Sequence, residues 1–265
     1  MNLDKLEYNS LKIIENLHDP NKDYILAFSG GKDSIVINHL AQKTWLPVKY
    51  IHTNTTIDWP GNLKFIRTNF PHVKIVNPKL SFYRLVEKKG LPTRHRRWCC
   101  EHLKEYVGKG QKVIEGIRLS ESNSRKKRNK EPERCDIRYD KIHVMPILYW
   151  SDKNVWDYIK KYDLPFPELY KLGFNRLGCI GCPLANQLNR IKEYQIFPRY
   201  AKAIIKAIER NINNNKCLSK FFDDPHEAFY WWISEFSITR HVEIKNGLFK
   251  INYKQELERI FNLNF

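Results

Sequence analysis

The chain has 265 residues, enough to bury the core of one α/β domain with a smaller attachment. Its 46 Lys and Arg outnumber its 29 Asp and Glu, and the net charge of +17 favours a polyanionic partner, although a solvated Lys-rich surface gives the same balance. The first residues lack a secretory signal, and no apolar run approaches the roughly 18 residues of a membrane span. We therefore expect a soluble, cytoplasmic protein without membrane partners.

The first part of the chain predicts strands that alternate with helices. An amphipathic helix is expected over residues 4–17, and another helix begins after Ser151, which suits an N-cap. Strands are predicted at residues 24–28, 48–52, 73–76, 112–116 and 142–145, and further helices at residues 35–43 and 61–69. This alternation predicts an α/β fold with a mainly parallel sheet and helices on both faces, and it places a ligand at the carboxyl ends of the strands.

The pattern changes after Cys182, which divides the sequence into a larger domain, residues 1–182, and a smaller, mostly helical C-terminal part, residues 183–265. Helices are expected over residues 190–211 and 225–236. The alternating segment 242–251 predicts a β-hairpin around an Asn-Gly turn.

The loop between the first predicted strand and the next helix reads Ser-Gly-Gly-Lys-Asp-Ser, residues 29–34. Glycine permits a positive φ and close backbone approach, so successive N–H groups can point at phosphate oxygens beside a helix N-terminus. A Walker A loop is excluded, because Leu26 stands where its first Gly belongs and Asp33 follows Lys32. The sequence therefore predicts a phosphate site for a nucleotide, but not a P-loop.

Four of the six cysteines fall in two close pairs, Cys99-Cys100 and Cys179-x-x-Cys182. Thiolates are preferred ligands of zinc and of iron-sulfur clusters, and an intracellular chain of this size favours thiols over disulfides. Adjacent cysteines are awkward for zinc, although structural zinc stays open as the alternative. The fold would have to bring the two pairs together.

The hexapeptide resembles the pyrophosphate-binding loop of the N-type ATP pyrophosphatases and of their relatives, the adenylylsulfate and phosphoadenylylsulfate reductases. Segments 53–60, 116–125 and 146–156 are similar to further motifs of this superfamily. On these matches the chain is identified as a member of the adenine nucleotide α-hydrolase-like superfamily. The paired cysteines resemble the [4Fe-4S] ligands of adenylylsulfate reductases and of the iron-sulfur ATP pyrophosphatases of DNA phosphorothioation.

This resemblance implies roles for individual residues. The nucleotide, ATP with Mg²⁺, would be bound by Ser29, Gly30, Gly31, Lys32, Asp33, Ser34, Gly116 and Arg118. The catalytic residues would be Lys32, Asp33, Arg118 and Arg125. The [4Fe-4S] cluster would be held by Cys99, Cys100, Cys179 and Cys182.

The sequence departs from the reductases in one respect. Those enzymes resemble one another in a Glu-Cys-Gly-x-His tail that carries the nucleophile, whereas no cysteine follows Cys217 here. Reductase activity is therefore the second expectation, with Cys217 as its nucleophile. Cys135, near the basic run 125–130, is the better candidate sulfur carrier, and an inert structural cysteine is its alternative.

These observations lead to one leading hypothesis. We expect an ATP pyrophosphatase with a [4Fe-4S] cluster that acts in sulfur incorporation into nucleic acid, with DNA as the favoured partner and a cysteine desulfurase as sulfur donor. Basic residues 94–97 and 125–130 would contact the phosphate backbone, unless they are only solvated. The alternatives are an adenylylsulfate reductase, a tRNA thiolation enzyme and a non-catalytic iron-sulfur subunit that binds nucleic acid.

Overall fold

A computed structural model of the chain describes residues 2–17, 24–121, 123–234, 237–246 and 251–262. The chain divides into two compact units. The sheet unit comprises residues 1–54, 59–77 and 104–178, and the helical unit comprises residues 55–58, 78–103 and 179–265. Each unit is thus assembled from separate segments, whereas the sequence division at residue 182 assumes two continuous domains.

The sheet unit contains a six-stranded sheet within the described residues. Its strands are β1 (Tyr24–Ala27), β2 (Val48–Thr53), β3 (Lys74–Val76), β4 (Lys112–Ile114), β5 (Glu133–Asp136) and β6 (Lys141–Val144). The order is β3-β2-β1-β4-β6-β5, and every pairing is parallel except that of β5 with β6. The predicted α/β class with a mainly parallel sheet is confirmed. Strand β5 was not predicted, because its charged, half-exposed sequence Glu-Arg-Cys-Asp carries no apolar alternation.

The helices found in the described ranges flank this sheet or build the helical unit. They are α1 (Leu3–Glu15), α2 (Lys32–Gln42), α3 (Asn62–Asn69), α4 (Phe82–Lys89), α5 (Trp98–Leu103), α6 (Asn123–Arg128), α7 (Asp152–Lys161), α8 (Gln187–Ile196), α9 (Pro198–Asn213), α10 (Pro225–Ser234), α11 (Ile238–Lys245) and α12 (Tyr253–Phe261). Helices α1, α2, α3, α6 and α7 belong to the sheet unit, and the others belong to the helical unit. No helix in the described part of the chain is both long and apolar enough to cross a membrane.

Two sequence predictions in the helical unit need correction. The helix expected over residues 190–211 is two helices, because Pro198 has no N–H to continue α8 and instead occupies the first turn of α9. The hairpin expected over residues 242–251 is wrong at its start, since residues 242–245 end α11. Ser237 caps α11 by accepting a hydrogen bond from the Arg240 N–H at 3.1 Å, and residues 247–250 lie outside the described residues.

The core of the sheet unit packs β1, β4 and β6 against helices of the same unit. Ile35, Val36 and Ile37 of α2 are fully buried, so consecutive residues of this helix all face protein. Helix α7 begins with a capping box in which Ser151 and Asn154 bond each other's backbone. The buried hydroxyl of Ser10 in α1 donates to the carbonyl oxygen of Pro146 at 2.8 Å and accepts from Nε1 of Trp150 at 3.1 Å.

Replacing this hydroxyl tests the packing of α1. Ser10→Ala leaves Nε1 of the buried Trp150 without its acceptor, so we expect the free energy of unfolding to fall by about 1–3 kcal/mol. Urea unfolding measures the change. The neighbouring Asn9 is exposed, and Asn9→Ala should change stability by less than about 0.5 kcal/mol. Equal stabilities of the two variants would show that the hydrogen bonds of Ser10 contribute nothing.

Candidate active site and candidate metal centre

The predicted phosphate loop lies between the carboxyl end of β1 and the first turn of α2, as the sequence indicated. Gly30 has a φ of +81°, and a Cβ at this position would overlap the amide of Asn62. Only glycine fits there, for reasons of both conformation and space. Gly31 then serves as the N-cap of α2 and makes no side-chain capping bond.

The two serines of the loop brace it from within. Oγ of Ser29 accepts a hydrogen bond from the Gly31 N–H at 3.3 Å and donates to Oγ of Ser34 at 3.1 Å. Oγ of Ser34 donates in turn to the carbonyl oxygen of Gly31 at 2.8 Å. These bonds fix the backbone of the loop, so that the N–H groups at the start of α2 keep a constant direction.

A tyrosine that the sequence did not single out closes this helix start. The Lys32 N–H donates to the hydroxyl of Tyr170 at 2.9 Å, and this hydroxyl would lie 3.2 Å from a Cβ at Gly31. Burial raises the pKa of Tyr170 and keeps the phenol neutral. The Tyr170 oxygen therefore marks a position where an electronegative atom meets the positive end of α2.

Two cations and two carboxylates form one network around the first turn of α2. Lys32 is only 2 % exposed, and its Nζ donates to the carbonyl oxygen of Asn175 at 2.8 Å. The same Nζ lies 3.2 Å from Oδ1 of Asp152 and 3.9 Å from Oδ2 of Asp33. Arg118 donates from Nε to Oδ1 of Asp33 at 2.6 Å and from Nη2 to Oδ1 of Asp152 at 3.0 Å. Each buried charge thus has a partner of opposite sign, as burial requires.

The structure brings together most of the predicted nucleotide residues. Burial raises the pKa of Asp33, although Arg118 and Lys32 act in the opposite direction. Gly116 follows β4 and lies against the same turn, since a Cβ on it would be 2.9 Å from the carbonyl carbon of Asp33. Arg125 pairs with Glu121, whose Oε2 also accepts the Arg118 N–H at 3.1 Å.

Asp152, Tyr170 and Asn175 were missed, because each is remote in sequence from the loop.

The four predicted metal ligands all belong to the helical unit. Cys99 and Cys100 lie at the start of α5, Cys179 and Cys182 precede α8, and all four are partly buried. A hydrogen bond with Cys100 and burial raise the pKa of Cys99, and the nearby thiol groups of Cys179 and Cys182 raise it further. The fold therefore brings the two cysteine pairs close enough for Cys179 and Cys182 to affect the ionisation of Cys99.

The Cys179–Cys182 turn is held by helix α8, which follows it. The Gly181 N–H donates to Oε2 of Glu193 at 2.6 Å, and a Cβ on Gly181 would overlap the ring of Tyr194. The Cys182 N–H donates to the carbonyl oxygen of Cys179 at 3.3 Å. Helix α8 thus fixes the direction in which this pair of thiols points.

Two further polar residues, Thr55 and Asp58, lie beside Cys179. Sγ of Cys179 donates to Oγ1 of Thr55 at 3.5 Å and lies 4.0 Å from Oδ1 of Asp58. Asp58 also pairs with Cys179 through an antiparallel backbone bridge. The sequence showed these residues only as part of a superfamily motif, and no local signal linked them to a cysteine more than a hundred residues away.

The donor chemistry of the four thiols fits a zinc ion or an iron-sulfur cluster. Among the described residues, however, no three His, Cys, Asp or Glu side chains stand in an arrangement that would ligate a metal ion. The four reduced thiols are grouped, with a hydrogen bond between Cys99 and Cys100, and their role as ligands stays a prediction.

Comparisons with known proteins fit this description. Residues 23–185 match the phosphoadenosine phosphosulfate reductase domain family. An uncharacterized protein of Methanocaldococcus jannaschii is 32% identical over 222 residues, which are 78% of this chain and 54% of that protein. A second protein of that organism is 30% identical over 206 residues, 72% of this chain and 43% of its own length. The chain therefore spans about half the length of these two relatives.

Two further proteins carry functional names. An adenosine 5′-phosphosulfate reductase of Bacillus cereus is 27% identical over 174 residues, which cover 61% of this chain and 74% of the reductase. The crystal structure of phosphoadenylyl-sulfate reductase from Candida auris in a phosphate complex shares the fold, with a TM-score of 0.50 and 20% identity. The matched region covers 67% of this chain and 93% of the Candida auris chain.

The close contact at Gly116 yields a test of the predicted nucleotide site. Gly116→Ala places a methyl group against the backbone of Asp33, so the first turn of α2 must shift, and we expect a non-hydrolysable ATP analogue to bind about tenfold more weakly. Isothermal titration calorimetry measures the affinity. Gly178→Ala is the matched control, because a methyl group there meets nothing within 4 Å. Unchanged affinity in Gly116→Ala would separate this turn from nucleotide binding.

Proposed function

The chain belongs to the phosphoadenosine phosphosulfate reductase domain family, and on that premise we propose that it is an ATP pyrophosphatase that acts in sulfur incorporation into nucleic acid. We favour phosphorothioation of the DNA backbone. A non-bridging phosphate oxygen of the acceptor attacks the α-phosphorus of ATP, and the bond to the β-phosphate breaks with release of pyrophosphate. The persulfide sulfur then attacks the phosphorus of the acceptor and displaces AMP, because adenylation has turned the phosphate oxygen into a good leaving group. A thiol reductant then cleaves the remaining S–S bond, is itself oxidised to a disulfide, and leaves the sulfur on phosphorus.

The buried charge of Lys32 beside the start of α2 is the observation that carries this proposal. Breaking the bond between the α- and β-phosphates places negative charge on the leaving pyrophosphate. Lys32, Arg118 and the N–H groups of the 29–34 loop offer fixed positive charge and donors at one place. The Lys32 N–H, bonded here to Tyr170, is available to a phosphate oxygen that takes the place of the phenol.

Mg²⁺ fits the carboxylates of the same network. Asp33 and Asp152 supply oxygen ligands of the kind that Mg²⁺ prefers, and Mg²⁺ at such sites keeps several waters and bonds to substrate phosphates. Two carboxylates are therefore enough protein ligands for a Mg²⁺ ion whose other ligands are waters and the phosphates of the nucleotide. When bound, the ion supplies neutralisation of phosphate charge, and Asp33 and Asp152 would hold it.

A [4Fe-4S] cluster is the proposed cofactor of the four thiols. Cys99, Cys100, Cys179 and Cys182 would hold it, and such a cluster supplies either electron transfer or a site for carried sulfur. The grouping of the thiols and the fixed Cys179–Cys182 turn support this assignment. Thr55 and Asp58 would orient Cys179.

The acceptor and the sulfur donor follow from charge and chemistry. A net charge of +17 supports a polyanionic acceptor, and the exposed Arg94, Arg96, Lys126 and Lys127 would contact its phosphates. A cysteine desulfurase would deliver sulfur at the oxidation level of a persulfide. Thiolation of tRNA differs from this proposal only in the acceptor polymer.

ATP turnover tests the proposal directly. We expect AMP and pyrophosphate in equal amounts from ATP and Mg²⁺, with a higher rate when DNA is present. Lys32→Met removes the buried charge and should lower the rate at least about hundredfold. Lys64→Met, which changes an exposed lysine of α3, is the matched control and should keep the rate. Release of γ-phosphate instead of pyrophosphate would refute the proposed chemistry.

Metal analysis tests the cofactor separately. Protein purified without oxygen should contain about four iron and four sulfide per chain. Its visible absorption spectrum should show the charge-transfer bands of an iron-sulfur cluster. Cys179→Ser should lose most of the iron, whereas Cys135→Ser, which changes the exposed thiol on β5, should retain it. Stoichiometric zinc without sulfide would replace the cluster with a structural metal ion.

The similarity to the Bacillus cereus adenosine 5′-phosphosulfate reductase favours a second candidate function. In that case a cysteine thiolate attacks the sulfur of adenylylsulfate and displaces AMP, and an external thiol then reduces the enzyme-bound thiosulfonate and releases sulfite. Cys217 would be this nucleophile. Formation of sulfite that Cys217→Ser abolishes, together with no pyrophosphate from ATP, would establish the reductase and remove the first proposal.

A further inference from the structure

A cavity of about 590 Å³ lies in the helical unit. It is bordered by the segment that follows α4, by the segment between α9 and α10, and by the end of α10. Its volume falls within the range of about 300 to 1,000 Å³ that is usual for small-molecule sites. None of the residues predicted to bind ATP or the cluster lines it.

One wall of the cavity is aromatic. Phe221, Phe222, Trp231 and Trp232 contribute to it, and Phe221 is 48% exposed. The rings of Phe222 and Trp231 pack with centroids 5.3 Å apart and an interplanar angle of 43°. Phe222 and Trp232 are buried, so the rings that a ligand can reach are those of the exposed Phe221 and the half-buried Trp231. Nucleobases stack on such aromatic rings.

The rim of the cavity carries positive charge on a fixed turn. Arg94, His95 and Arg96 are exposed there. The Thr93 N–H donates to the carbonyl oxygen of Arg96 at 3.2 Å, and the Arg96 N–H donates to Oγ1 of Thr93 at 3.1 Å. Nη2 of Arg94 also donates to the carbonyl oxygen of Ala185 at 3.1 Å. The basic residues thus stand on an ordered turn, which keeps them at the mouth of the cavity.

A buried cation completes the cavity. Arg190 is 1% exposed, and its guanidinium lies 4.4 Å from the ring centroid of Trp232. No Asp or Glu is among the described residues that line the cavity. Nε1 of Trp231 is buried and donates to no acceptor in the described part of the chain, so a ligand acceptor could satisfy it.

We propose that this cavity binds one nucleotide unit, with the base against the aromatic wall and the phosphate at the Arg94–Arg96 rim. An apolar peptide or lipid chain would use the rings but not the arginines, and an inorganic anion would use the arginines but not the rings. A nucleotide uses both, and its base can accept the hydrogen bond of the Trp231 indole. No residue of the 29–34 loop lines the cavity, and the proposal goes beyond the proposed ATP chemistry.

Binding without turnover tests the site on the full chain. A fluorescein-labelled 12-mer of thymidylate is titrated by anisotropy in the absence of ATP, and unlabelled thymidine monophosphate is used as competitor. Trp231→Ala should weaken binding at least about fivefold, because it removes a stacking face. Trp45→Ala is the matched control, since Trp45 is fully exposed in the sheet unit, and it should leave binding unchanged.

A charge variant tests the rim independently of packing. Arg96→Gln should weaken binding and lower its salt dependence, whereas Arg67→Gln, at an exposed arginine of α3, should change neither. Trp231→Phe keeps a stacking face and loses only the N–H, so partial binding by this variant confirms that the cavity itself is intact.

The competitor identifies the source of the nucleotide. Competition by the monophosphate at concentrations near those of the oligomer assigns a free nucleotide, and competition by oligomers alone assigns a strand. Equal affinities of Trp231→Ala, Arg96→Gln and their controls would overturn the site. Lys32→Met should lower pyrophosphate release and leave binding of the 12-mer unchanged, so failure of the ATP chemistry and failure of this site give different results.

Discussion

The network of Lys32, Arg118, Asp33 and Asp152 is the interaction on which the candidate active site depends. Two cations with almost no exposed surface are stable there because each faces a carboxylate at short range. The network links the first turn of α2, the segment after β4 and the start of α7. It therefore joins the segments that follow strands β1, β4 and β6 around the 29–34 loop. These segments lie at the carboxyl ends of the strands, which is where a parallel sheet places its ligand.

The cysteine site depends on the opposite situation, in which like groups are held together. The hydrogen bond with Cys100, burial and the nearby Cys179 and Cys182 raise the pKa of Cys99, so the grouping by itself opposes formation of the Cys99 thiolate. The Cys179–Cys182 turn is nevertheless fixed by Gly181, which has a positive φ, and by the carboxylate of Glu193. A bound metal ion or cluster, as proposed above for these four cysteines, would stabilise their thiolates.

Much of the fold could be read from the sequence, where the signal is local. The strands of the parallel sheet are short apolar runs, and the 29–34 loop carries its glycines between a strand and a helix, so both were predicted. Strand β5 was missed because its charged sequence carries no strand signal, and only its backbone pairing with β6 makes it a strand. The alternation at residues 242–245 fits a strand and a helix equally well, and the cap at Ser237 decided for α11.

The sequence by itself determined the superfamily and the positions of the 29–34 loop and of the two cysteine pairs, because each motif consists of residues within a few positions of one another. Tertiary structure alone decided that Asp152, Tyr170 and Asn175 close around Lys32, that Thr55 and Asp58 meet Cys179, and that aromatic residues and arginines share one cavity. Those contacts join positions far apart along the chain. Periodicity and motif spacing report only on neighbours in sequence, so they could not have shown which distant side chains the packed core brings together.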